Sequence, residues 1–230
     1  MPYRTLKSDC VIETIDTLAL RIGERFPDAG LKRVADQLAS TARRCAAEAE
    51  RLAKPQLWIR AAVYAVWTLG VAAAAFVASG LHYDGFDMRA TSFVQILEPA
   101  MNIAVLVGIG VVTLGRLEIR YKRAKALDAL HELRSIAHVV DMHQLTKDPH
   151  RESEALPDTA HSPKQSLPGP LLERYLDYCS EMLSLTAKLA VLLAQSVRDG
   201  EVASAASDIE TLTTGLSRKI WQKIAMLPRG

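Results

Sequence analysis

Residues 98–123 read EPAMNIAVLVGIGVVTLGRLEIRYKR. From Pro99 to Gly115 the stretch carries no charge, and it then runs into Arg116, Arg120, Lys122, Arg123 and Lys125. A helix of this composition is either the core of a bundle or a segment solvated by lipid. A second apolar stretch upstream, LWIRAAVYAVWTLGVAAAAFVASGL at 57–81, favours lipid. Its charge-free part, Val63 to Leu81, spans about 28 Å at helical rise, long enough for a bilayer core. Trp58, Tyr64 and Trp67 lie towards one end, where an interfacial aromatic belt is found, and Arg60 is placed to snorkel.

The flanks orient the pair. Arg43, Arg44, Arg51, Lys54 and Arg60 precede or open the first stretch, and the cluster from Arg116 to Lys125 follows the second. The connection HYDGFDMRATS holds one arginine against two aspartates. This is the positive-inside pattern of a two-pass hairpin with both termini cytoplasmic, in a plasma membrane of the bacterial inner-membrane type. The basic cluster is then lipid-facing and holds anionic headgroups. The small residues Gly70, Ala74 and Ala78 recur every four positions, as do Ala100, Ala104 and Gly108. In an antiparallel pair 70 faces 108, 74 faces 104 and 78 faces 100, a stripe that lets two backbones approach in lipid.

Glu98 and Asn102, four apart, share a face roughly opposite that stripe. Two readings stay open. Pro99 suits the first position of a helix, which makes Glu98 a cap at the outer headgroups and Asn102 an interhelical packing contact. Alternatively, a ring of both residues from several subunits lines a pore or fixes an oligomer.

Outside 56–115 the chain is amphipathic and helical. In 1–55, Val11, Ile15, Leu18 and Ile22 share a face; after a break at FPDAG, Leu31, Val34, Leu38, Cys45, Ala49 and Leu52 continue at helical spacing. Residues 116–145 extend as a helix with a stripe of Leu127, Leu130, Leu133, Ala137 and Val140. The segment 146–169, with four prolines and scattered charge, reads as a flexible linker. Residues 170–230 form an antiparallel hairpin. Tyr175, Cys179, Met182, Thr186, Leu189 and Leu193 follow coiled-coil-like steps, Arg198-Asp199-Gly200 breaks the helix, and Val202, Ala206, Ile209, Leu216, Ile220 and Ile224 mark the return. The fold class expected is all-α: a two-helix transmembrane hairpin carrying a cytosolic helical bundle.

Several function classes are disfavoured. The net charge of +2 does not suggest a nucleic-acid binder. Cys10, Cys45 and Cys179 are odd in number, far apart and each on an apolar stripe, so neither a disulfide framework nor a zinc site is expected. The start MPYRTLKSDC has no apolar run, so a cleavable signal peptide is not expected. The most enzyme-like stretch is HELRSIAHVVDMH at 131–143, yet Ser135 stands where the second histidine of HExxH belongs. What remains there is a polar seam of His131, Arg134, His138 and Asp141, best read as an interhelical hydrogen-bond and ion-pair seam. No catalytic residue, metal or cofactor is assigned. The function expected is an integral membrane scaffold or sensor presenting a helical bundle to an unknown cytosolic protein, with homo-oligomers multiplying weak contacts. The alternatives are an oligomeric channel or membrane-disrupting effector and, less supported, a membrane-tethered hydrolase at the seam.

Overall fold

The breakers seen in the sequence set the helix ends. The computed structural model describes the backbone of residues 5–80, 90–147, 160–161 and 167–227. Within its apolar helices the side chains of residues 73, 74, 76–80, 90–100, 102–104, 106, 107, 111, 114 and 115 are outside the description. All regular structure among the described residues is helical: α1 (Ser8–Arg25), α2 (Gly30–Ala53), α3 (Leu57–Gly80), α4 (Ala90–Leu145), α5 (Gly169–Ser196) and α6 (Gly200–Ala225). The linker expected over 146–169 falls mostly on 148–159 and 162–166, outside the described residues.

The chain divides into two units, residues 1–53 with 123–230, and residues 54–122. The first is a bundle. Helix α5 packs against α1, α2 and α6, and α1 packs against α2. With neighbours on several sides, α5 buries thirteen residues, including Leu176, Met182, Leu183 and Leu189. A helix with one covered face shows only a stripe. The C-terminal part of α4 adds Ala126, Leu130, Leu133, Ala137 and Val140 to the core. Phe26, at the end of α1, stands edge-on to Tyr175 at 5.5 Å and to Tyr178 at 6.2 Å, geometries that suit the aromatic quadrupole. Gly30 opens α2 where a Cβ would lie 2.7 Å from His143 Nε2, so only glycine lets that ring sit there undisturbed.

Of the three cysteines, Cys45 and Cys179 are buried and Cys10 is exposed. Burial pushes the Cys45 and Cys179 thiols up to about 12, so they stay protonated and inert. Cys10 departs from the apolar-stripe expectation because it shares a helix face with exposed Thr14 and Thr17, turned away from Val11 and Ile15.

The α5–α6 turn shows how sequence fixes a tight connection. Asp199 caps α6, its Oδ1 accepting from the amides of Glu201 at 3.0 Å and Val202 at 3.3 Å. Its Oδ2 accepts from Arg123 Nε at 2.9 Å and Nη2 at 2.7 Å, which ties α4 to the start of α6. The Arg123 hydrogen bond outweighs desolvation and, with the two capping amides, holds the Asp199 carboxyl below the usual carboxylate range. Asp199→Ala is expected to lower bundle stability by about 1–2 kcal/mol, read from a urea midpoint. Asp199→Asn, which keeps the cap and loses the charge, should fall between the two.

The second unit contains α3 and the N-terminal part of α4, which place large apolar side chains outward. Leu57 and Leu69 are each 73% exposed and Tyr64 69%, with Trp58, Trp67, Met101, Val105 and Ile109 also exposed. Among the described residues, no helix is long and apolar enough to cross a membrane. The transmembrane hairpin expected over 57–81 and 93–115 is therefore not supported by the structure, whereas the helical bundle is. The second apolar stretch is the weaker of the two, since Glu98 and Asn102 interrupt it.

Candidate functional site

The polar centre of the second unit is Glu118. Pro55 follows α2, and Gln56 stands just ahead of α3 with its backbone N–H unable to bond within the helix. Glu118 of α4 supplies the acceptor: the Gln56 amide donates to its Oε1 at 3.1 Å, and Arg60 Nε donates to its Oε2 at 3.0 Å. Lys122 Nζ stands 3.2 Å from Oε1 and also donates to the Lys54 carbonyl at 2.8 Å. The carboxylate thus sits at the positive end of α3, where an anion is favoured. Trp58 stacks edge-on to Tyr121 at 5.9 Å beside it.

Desolvation alone raises the Glu118 pKa, but the Gln56 amide, then Arg60 and Lys122, more than offset it and hold it at about 2. The folded value lies below the ordinary 4.5, so the clamp contributes its full stability above that pH and loses it as pH falls towards about 2. Fluorescence of Trp58, read in a chain with Trp67→Phe and Trp221→Phe, should stay constant well below pH 4.5 and change only as the pH approaches about 2. Glu118→Gln should remove that step. A step that survives the substitution would assign it to another group.

Next to the clamp lies a groove of about 410 Å³ lined by Trp58, Ile59, Ala62, Val63, Val66, Leu117, Arg120 and Tyr121. Its surface is almost wholly apolar apart from Arg120.

The basic cluster divides. Arg116, Arg120 and Lys125 are exposed. Lys122 and Arg123 are half-buried and bound to protein carboxylates, Glu118 for the first and Asp199 with Glu201 for the second. These two pairings commit Lys122 and Arg123 to protein carboxylates, while Arg116, Arg120 and Lys125 stay exposed.

The seam residues His131, Arg134 and His138 are exposed, and Asp141 is half-buried, its Oδ1 accepting from Gln144 Nε2 at 2.6 Å. Among the described residues, α4 makes polar contacts to other helices through other positions. Glu132 accepts from Thr41 Oγ1 at 3.0 Å and pairs with Arg44 of α2. Lys223 of α6 donates to the carbonyls of Gln144 at 2.9 Å and Lys147 at 3.2 Å, satisfying the end of α4. Sequence reasoning gave Glu118 and Glu132 no partner and read Asp199 only as part of the break at Arg198-Asp199-Gly200. Two had a local signal: Glu118 is the lone acid between Glu98 and Asp128, and Asp199-Gly200-Glu201 opens an apolar-periodic run as a helix cap does.

Glu98 and Asn102, like Ala74, Ala78, Ala100 and Ala104 of the small-residue stripe, have side chains outside the described residues. Among the described residues nothing lies within 4 Å of where a Cβ on Gly70 or Gly108 would stand. No group of three or more His, Cys, Asp or Glu among the described residues is placed to hold a metal ion. No family model, curated protein or solved structure matches the chain.

Proposed function

We propose that this protein is a membrane-anchored assembly protein. In this reading α3 and the apolar part of α4 seat in a bilayer as a two-helix hairpin, both termini on the cytosolic side, and the bundle is offered to further protein copies and to a cytosolic partner. One observation carries the anchor: leucines, tryptophans and valines that the bundle would bury stand outward on α3 and α4. A surface of this extent in water is a liability, since soluble monomers rarely expose contiguous apolar patches above a few hundred Å². In lipid the same side chains are solvated. Exposed Arg116, Arg120 and Lys125 at the end of the apolar run match the cytosolic boundary.

The assembly half rests on the bundle's own surface. Val139, Met142 and Leu145, three apart on α4, form an exposed apolar stripe, and Trp221 and Met226 are exposed on and just after α6. Such residues are enriched at interfaces between chains. Alkaline extraction of membranes containing the full-length chain tests the anchor. Retention in the pellet is expected, and release into the supernatant would sink the reading. A native mass in lipid nanodiscs tests the assembly, for which a monomer is the failing result.

A further inference from the structure

We propose that the groove between the first turns of α3 and residues 117–121 of α4 seats one acyl chain of an anionic phospholipid, with the headgroup phosphate on Arg120. The inference rests on the membrane placement above and adds a bound lipid of defined chemistry to it.

Three observations carry it. The walls are apolar and include Trp58 and Tyr121, which pack edge-on. The clamp through Glu118 satisfies Arg60 and Lys122, so those cations are committed to protein. Arg120 is the one cation lining the groove, and it has no ion pair or hydrogen bond among the described residues. A guanidinium left without a carboxylate beside an apolar slot complements a phosphate joined to a hydrocarbon tail, and its planar fork suits phosphate oxygens. The slot is of the size that holds a small-molecule ligand. A zwitterionic lipid offers the same tail but no net charge at the headgroup.

The test uses the full chain with Trp58 as its only tryptophan (Trp67→Phe, Trp221→Phe), reconstituted in phosphatidylcholine vesicles. Brominated phosphatidylglycerol and brominated phosphatidylcholine are compared as quenchers at equal mole fraction. The expected result is quenching of Trp58 about fivefold more effective by the anionic lipid, the preference one basic contact near the surface supplies. Arg120→Gln should bring the two lipids to parity, while Arg116→Gln, outside the groove lining, leaves the preference. Ala62→Phe, which fills the slot, should lower quenching by both.

Parity in the parent chain, or equal loss from the Arg116 and Arg120 substitutions, would overturn the site in favour of diffuse surface attraction. A Trp58 shielded from both lipids in protein that floats with the vesicles would overturn it in favour of a second copy covering the groove. Protein that does not float would bring down the membrane reading itself.

Discussion

Leu183→Ala is expected to destabilise the bundle by about 3–4 kcal/mol, a fall of about 10 °C in its unfolding temperature. Leu183 is fully buried on α5, the helix that packs against α1, α2 and α6. Removing its branched end loses the transfer free energy of three carbons. It also leaves a cavity that a helix held by several neighbours cannot close by shifting. The size of the effect therefore depends on α5 being central. If the helices slid together as a loose hairpin, the cost would fall to the transfer part alone, about 2 kcal/mol. Leu20→Ala is the internal comparison, the same chemistry at a position 68% exposed, and should stay within about 0.5 kcal/mol. Circular dichroism of the full chain in detergent, heated through the bundle transition, reads both. Equal small shifts would mean that the core described here does not form.

Periodicity made the bundle legible because burial of one helix face leaves a trace every three or four residues. The stripes through Val11–Ile22, Leu31–Leu52 and Tyr175–Leu193 are the residues that are buried. The breaks at FPDAG and Arg198-Asp199-Gly200 fall where α1 and α5 end. Polar partnerships were not legible, since they join residues distant in sequence. Arg123 meets Asp199 across 76 positions and Arg44 meets Glu132 across 88. Counting local charge put Lys122 and Arg123 with the lipid-facing cluster; Glu118 stands four positions before Lys122 on the same helix, whereas only the folded chain brings Asp199 to Arg123. The histidine seam illustrates the same limit from the other side. Its spacing places His131 and His138 near one face, but whether that face meets a neighbour depends on the angle at which α4 lies on the bundle, and both are exposed. Glu132, one position before the buried Leu133, is the residue that turns towards α2.

Leu69→Arg separates lipid from water more sharply than any change in the bundle. Leu69 is 73% exposed and lies near the middle of the charge-free run from Val63 to Leu81. In water an exposed leucine replaced by arginine is close to neutral, within about 0.5 kcal/mol, and solubility improves. At the centre of a spanning helix the same change costs about 2.5–3.5 kcal/mol in insertion free energy, a factor of roughly a hundred or more in partitioning. The expected result is a large transfer of the full chain from the alkali-resistant membrane pellet to the supernatant or to aggregates. Leu57→Arg, as exposed as Leu69 but at the headgroup end, should leave the chain in the pellet. The contrast between the two leucines is the informative quantity, because exposure is the same and only depth differs. Equal behaviour of the two variants, both retained and both stable, would mean that α3 is wet along its whole length, and the anchor would then have to be abandoned.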